Sequence, residues 1–516
     1  MIYSEHRPDE DRRRGDSRLA KLVQNTQRML LDTQQDFVYD SLRLGHEALG
    51  DLAGILVDFA EDLYNGAGIW EAYERYNVEF FGTSLPLTTG NDGADRTGLH
   101  PDRFRHFLWV LYPALVDGLA LSPGHEDLRR MADAGSVFLS DAFSTMPKDS
   151  GVRAFLQTPN TYAWDVKRKL LWLGRHSFMF RTMFARYIDD KAAGSADVAH
   201  TDDFVCQECT QWSGLGAIDI LAGVLGISED DRKDLRSWYE RHAAPYKIVS
   251  AGKDVLQAVN LVSDQPYRIR INMKRHPFKT GQLVFGSLVP WRGEWYWSGE
   301  QKAWDNASNA DMEDLRQDMK CRSPKIVCRY WKEYEGQVRQ RASDLHERMV
   351  AYYGKDLIAY PDGLSMAADW QKEFRGYWES TPRHELEEAI KKHGLEDGRT
   401  RMNCPKDLIE HTDGVGVFLN PDEGKEIMTH FASLVTGLKR RGKTLTDDQE
   451  RAIRGFFDAD AVSPRFAKRV LDEYGDESAK TAFFLLGDPP SYWLDYLFRR
   501  HKGHFYRKRY PSLSVT

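Results

Sequence analysis

Cysteines are the first residues in this chain whose types and spacing suggest chemistry. Cys206 and Cys209 form a C-x-x-C pair, and Cys321 and Cys328 follow more than a hundred residues later. Four thiolates would hold a tetrahedral zinc ion, with His200 as a substitute ligand. The second pair is spaced by six residues rather than two, and free cysteines are also common as small buried hydrophobes. No strand-to-helix pattern surrounds the C-x-x-C pair, which argues against a redox role. Asp189-Asp190 and Asp202-Asp203 are paired carboxylates with His200 close by. Such a set would suit a metal-dependent hydrolase built on residues 189–209.

Two further groups suit binding rather than bond-making. Trp291, Trp295 and Trp297 lie close together, and Trp295 and Trp297 share one face of a strand while Tyr296 points the other way. Paired indoles stack bases, sugars or cations, and they also fill the cores of small barrels. Arg268, Arg270, Lys274 and Arg275 stand nearby, and a basic, aromatic sheet is a common RNA-binding surface. The C-terminal tail carries Arg499, Arg500, Lys502, Arg507, Lys508 and Arg509 with no acid among them. Phe498, Phe505, Tyr506 and Tyr510 are interleaved. Charge and aromatic rings together suit phosphate contacts and base stacking, or an acidic protein surface.

Several motifs are absent or fail. There is no P-loop and no G-x-S-x-G elbow, and His384-Glu385 lacks the second histidine of a zincin. The segment from Ala222 to Gly226 resembles the turn of a DNA-binding helix-turn-helix. Ser228-Glu-Asp-Asp231 then places carboxylates where phosphates would lie, so an ordinary helical hairpin is expected.

The elements that must position these residues are mostly helical. The chain has 516 residues, 41% hydrophobic and 29% charged, with a formal charge of −7. That is ample for real cores and excludes a largely disordered chain. Few cysteines, no basic start leading into an apolar stretch, and a longest apolar run (Leu215 to Ile227) broken by Asp219 point to a soluble cytoplasmic protein. A charged, disordered tail is expected over residues 1–16 and a helical domain over 17–200. In the latter, Leu52, Ile55, Leu56, Phe59 and Leu63 make one apolar helix face. Asn160 to Lys191 reads as one long helical segment, its basic residues snorkelling to the surface.

Residues 201–310 read as the helical hairpin followed by a small β module. Tyr267-Arg-Ile-Arg-Ile alternates with period two, and Gln282-Leu-Val-Phe and Glu294-Trp-Tyr-Trp are further strands, the last after the turn Trp291-Arg-Gly293. A long charged helical connection is expected over 311–354. A mainly helical domain with the basic tail is expected over 355–516. There, Val415 to Leu419 reads as a strand and Pro421-Asp422 as the start of a helix ending at Lys439-Arg-Arg441. The expected fold class is therefore α+β, predominantly α-helical, with a small central antiparallel β module whose strands lie around residues 266–298. The expected function is a binding protein that contacts RNA or an acidic protein through the basic aromatic tail, helped by the tryptophan-bearing sheet. The metal-dependent hydrolase and a pure interaction scaffold are the alternatives.

Overall fold

In the computed structural model the described residues are 3–8, 15–87, 98–116, 121, 123–208, 212–272, 276–305, 307–387, 404–439, 445–475 and 493–507. The fold is predominantly helical α+β, and it divides into two units. One comprises residues 1–335 and 488–516, and the other residues 336–487.

The first unit opens with a short turn, Tyr3–His6, and then a helical body. Its helices are α1 (Gly15–Gln35), α2 (His46–Asn65), α3 (Ile69–Phe81), α4 (Pro101–Leu115), α5 (Glu126–Ser144), α6 (Gly151–Leu156), α7 (Ala163–His176), α8 (Arg181–Ala192), α9 (Val198–Gln207), α10 (Ala217–Val224) and α11 (Glu229–Ser237). The apolar stripe read on α2 is the core face, with Leu52, Ile55, Leu56, Phe59 and Leu63 all buried. Phe59 stacks on Phe107 at 4.1 Å, and Phe107 in turn lies 4.9 Å from Trp212. These large rings supply much of the apolar area that holds the body together.

The segment expected as one helix from Asn160 to Lys191 is two. Ser177 takes an extended conformation after α7. The break lets Phe178, Met179 and Phe180 all turn into the core, where Trp212 donates its indole N–H to the Met179 carbonyl at 3.2 Å. A continuous helix would have carried some of these side chains to the surface. At α11 the expected cap forms, with the Asp231 N–H donating to Ser228 Oγ at 3.2 Å.

The β module is larger than expected. Five strands, β1 (His242–Ala251), β2 (Val255–Asn260), β3 (Pro266–Arg270), β4 (Leu283–Trp291) and β5 (Glu294–Trp304), close into a barrel of order β1-β2-β3-β5-β4. All neighbours are antiparallel except β3 and β5, whose parallel contact (Ile269 with Trp295) closes the barrel. β1 serves both sides, pairing with β4 through its first half and with β2 through its second, across a bulge between Ile248 and Ser250. This is the strand order of the five-stranded Greek-key barrel of OB type. Arg292 and Gly293, both at positive φ, make the tight β4–β5 turn. α12 (Asn309–Arg322) and α13 (Pro324–Val327) follow the barrel.

The second unit holds most of α14 (Lys332–Tyr353), then β6 (Leu357–Tyr360), α15 (Gly363–Ser380), α16 (Lys406–Ile409), β7 (Val415–Asn420), β8 (Gly424–Thr429), α17 (Phe431–Leu438), α18 (Asp447–Asp458) and α19 (Pro464–Tyr474). Its antiparallel sheet has the order β6-β7-β8 over a core of Met349, Ile358, Met366, Trp370 and Val417. The helix expected to begin at Pro421 is instead a hairpin. The Asp422 N–H donates to Asn420 Oδ1 at 2.9 Å, and Gly424 at φ 87 turns the chain into β8. β8 places Glu426 inward, where it accepts from the Asn420 amide and from the Ser463 backbone N–H.

α20 (Trp493–His501) carries Arg499 and Arg500, and Lys502 and Arg507 flank α21 (Gly503–Tyr506). They belong to the first unit, not to the module that begins near Lys355.

Candidate functional site

Along the barrel, alternate residues point to opposite faces. Tyr246, Tyr267, Ile269, Val284 and Leu288 face inward, and Trp295 and Trp297 pack against them. Trp295 lies 4.7 Å from Tyr267 and 4.6 Å from His242, and Trp297 lies 5.6 Å from Tyr246. Gly286 makes room for the second indole, since a Cβ there would sit 2.9 Å from the Trp297 ring. His242 is stacked on Tyr330 at 3.9 Å, and burial lowers its pKa to about 3. Its Nδ1 sits 2.7 Å from the Tyr267 hydroxyl. Trp295 and Trp297, expected as a stacking surface, are half-buried, with their rings packed against the barrel core. Trp291 is buried.

Arg268 and Arg270 lie on the opposite, outer face of β3, with side chains 54% and 31% exposed. Both reach Glu294 Oε1, at 2.7 and 3.3 Å. Burial alone would raise the pKa of Glu294, but the hydrogen bond from Arg268 and the charge of Arg270 outweigh it and lower it. Beside them is an aromatic pair that sequence reasoning missed. Tyr162, the residue before α7, stacks on Trp164 at 4.5 Å and 27°. Trp164 meets Tyr296 edge-on at 5.3 Å, and the Arg270 guanidinium lies 5.6 Å from the Tyr162 ring. Tyr162 and Trp164 are half-buried. A Tyr-x-Trp at a helix start was the one available signal, but helical periodicity gave no reason to place it against a sheet. Lys274 and Arg275 lie outside the described residues.

Among the described residues of the basic tail, Arg499 and Lys502 are internal and Arg500 and Arg507 are half-buried. Arg499 and Lys502 are 2% and 0% exposed. Arg499 donates to Asn77 Oδ1 at 3.1 Å and Thr83 Oγ1 at 2.8 Å, and its guanidinium lies 4.4 Å from the Phe81 ring. Arg500 lies 4.7 Å from the Trp109 ring. Arg507 makes a fork onto Asp219 Oδ2, from Nε at 3.0 Å and from its terminal nitrogen at 2.9 Å. Tyr496 meets Nε2 of the buried His106 at 3.0 Å. Arg499 and Lys502, buried in the fold, have no face left for a partner's phosphate, whereas the Arg507 side chain keeps 20% of its surface exposed. Lys508 and Arg509 lie outside the described residues.

Among the described residues the metal sets are not assembled. Cys206 is buried in α9 with Lys167 Nζ 3.7 Å from its sulfur, and burial raises its pKa. Cys328 packs with Val262 and Val327, Cys321 is exposed, and Cys209 lies outside the described residues. Among the described residues no three His, Cys, Asp or Glu side chains gather into a metal-holding group. The paired carboxylates at 202 and 203 are spent on cations. Asp202 accepts from Lys167, from Arg241 at 2.9 Å and from Ser298 Oγ at 2.9 Å, and Arg241 also reaches Asp203. Burial alone would raise the Asp202 pKa, but Lys167 and Arg241 hold it down at about 2. This buried network ties α7 and α9 to the barrel. His200 pairs at 2.8 Å with Asp197, the cap of its own helix.

A second group that the sequence did not announce lies inside the helical body. Arg7 is buried and forks onto Glu61, with Asp16 2.9 Å away. The small cavity beside it, about 20 Å³, is lined by Asp58, Glu61, Asp62, Ser150, Trp172 and His176, among others. Its lining includes His6, whose pKa falls to about 4 through burial and the charge of Arg181.

A family described as a protein of unknown function (DUF3843) matches residues 47–205 of this chain. That segment contains the Tyr162–Trp164 pair and most of the cavity lining. None of the curated proteins and none of the solved structures compared matches the chain. Among the described residues no helix is long and apolar enough to cross a membrane.

Proposed function

We propose that the chain is a binding protein that takes single-stranded nucleic acid on the outer face of the barrel, at β3. One observation carries the reading: two half-buried stacked rings, Tyr162 and Trp164, stand beside two cations, Arg268 and Arg270, on one edge of an OB-type barrel. Single-stranded nucleic acid needs both parts, rings for the bases and cations for the phosphates. The β2–β3 face is where barrels of this topology commonly take oligonucleotides, although topology alone implies no function. Each arginine still has donors beyond the one it gives to Glu294. The overall charge of −7 argues against bulk attraction and suits a local patch.

The test is titration of the full chain with an oligouridine, read by tryptophan fluorescence and filter retention at about 50 and 200 mM salt. Affinity should fall with salt. The R268A/R270A variant should bind more weakly, with a salt slope smaller by roughly 0.7 for each phosphate the two arginines neutralise in the parent chain. Y162A should weaken binding with little change in slope, by about 1–3 kcal/mol for one missing stack. Binding that ignores all three substitutions, or none at low salt, overturns the proposal.

A further inference from the structure

Three arginines of the helical body open onto one surface groove of about 430 Å³. It is lined by Arg75, Tyr76 and Glu79 of α3, Gly223 of α10, and Glu229, Arg232 and Arg236 of α11. The end of α10 collects the cations. Arg75 donates to the Gly223 carbonyl at 2.9 Å and Arg232 to the Ala222 carbonyl at 3.1 Å, where the negative end of the helix dipole favours positive charge. Gly223 permits this approach, since a Cβ there would sit 2.5 Å from the Tyr76 ring and 3.1 Å from an Arg75 nitrogen. The Tyr76 ring holds two of the guanidiniums, Arg75 at 5.2 Å and Arg236 at 4.7 Å from its centre. Arg232 pairs with Glu229 at 2.7 Å and Arg236 with Glu79 at 3.3 Å, whereas Arg75 is exposed and pairs with no carboxylate among the described residues. The neighbouring Asp230 and Asp231 are answered by Lys233 and Arg292. The groove thus sets three cations against two anions. The Glu79 and Glu229 side chains are 49% and 60% exposed, and releasing such surface pairs to water costs little. Each guanidinium has five N–H donors and gives only one or two of them to the protein. Three guanidiniums on one groove match the three acceptor oxygens of a phosphoryl group, whereas a carboxylate offers two.

We infer that this groove is a phosphate-binding site in which Arg75 is the main cation and Arg232 and Arg236 supply further donors. The ligand class is the phosphoryl dianion, free or at the end of a small ester. Glu79 and Glu229 oppose its entry and set how tightly it is held. The inference is independent of the barrel face and uses neither Arg268 nor Arg270.

The experiment is calorimetric titration of the full chain with inorganic phosphate, glycerol phosphate and acetate at matched ionic strength. The parent chain should bind phosphate saturably and acetate much more weakly. R75A should weaken phosphate binding about tenfold, as for one lost charge-assisted hydrogen bond. E79Q removes an opposing charge and should strengthen it, and R268A/R270A should leave it unchanged. Tighter binding of glycerol phosphate than of phosphate assigns the groove to an ester, and equal binding assigns it to the ion itself. Thermal unfolding without phosphate checks that each variant is folded. Should R75A be destabilised, E79Q carries the test alone, since a loss of fold does not strengthen binding. The inference is overturned if the parent chain binds no phosphate, if R75A and E79Q both bind it as the parent does, or if R268A/R270A abolishes the binding.

Discussion

Replacing Arg499 separates the two meanings of basic charge in this chain. Its side chain is 2% exposed and donates to two neutral acceptors, at 3.1 and 2.8 Å, with the Phe81 ring 4.4 Å away. A hydrogen bond from a charged donor contributes about 1.5–3 kcal/mol. Burial works against the charge and lowers the Arg499 pKa, so the two bonds do not contribute in full. R499A removes the buried charge as well as the bonds, and leaves Asn77 and Thr83 short of a donor. The expected net loss is about 2–4 kcal/mol. R499K keeps the charge without the fork and should recover only part of it. Arg268, 54% exposed and paired with Glu294, should cost about 0–1 kcal/mol when replaced by alanine. Urea unfolding followed by tryptophan fluorescence, run beside oligouridine binding on the same samples, reads both effects. R499A should lower the midpoint, whereas R268A should weaken binding and leave the midpoint nearly unchanged. If R499A unfolds like the parent chain and loses oligonucleotide affinity, the assignment of the tail to the interior fails.

Two further outcomes follow from the buried charges. His106 is fully buried between the Pro86 carbonyl and Tyr496; burial lowers its pKa to about 3, with Arg500 and Arg105 adding to the effect. Its folded pKa is below its unfolded one, so its contribution is present above about pH 6.5 and is lost as pH falls toward 3. Between pH 6 and 4, H106Q should therefore remove about 1.4 kcal/mol per pH unit from the slope of stability against pH; equal slopes in both proteins would contradict this. D202A leaves Lys167 and Arg241 without their shared carboxylate, and should lower unfolding stability by about 3–5 kcal/mol; a midpoint equal to that of the parent chain would show that the network does not hold the barrel.

Local rules were legible at several places where the signal was local, though not at Pro421-Asp422, where the expected helix start is a hairpin turn. The apolar stripe of α2 and the cap at Ser228 depend on residues within a turn or two of each other, and they lie where periodicity and capping chemistry place them. The alternation from Tyr267 to Ile271 and the Arg292-Gly293 turn likewise announced β3, β4 and β5. β1 and β2 were hidden. His242-Ala-Ala-Pro gives no period-two pattern, because this part of β1 is covered on both sides, and its proline reads as a breaker. The break between α7 and α8 is set by what Phe178, Met179 and Phe180 meet across the core, which no local window contains.

The candidate site follows the same division, with a sharper consequence. Arg499 and Lys502, in the strongest cluster of basic and aromatic residues in the sequence, are internal, and the proposed binding edge is made of residues more than a hundred positions apart. Clustering along the chain records that charges are near one another, not that water reaches them. Arg499 and Arg268 are the same residue type in similarly aromatic surroundings. One is closed in by Phe81, Asn77 and Thr83 from a distant helix and the turn after it, whereas the other stands on a strand whose outer face stays open. A cation has to be desolvated to bind, and Arg499 has already been desolvated by folding. The cations still able to exchange water for phosphate are those the fold leaves half in solvent, and Arg268 and Arg270 beside Tyr162 meet that condition.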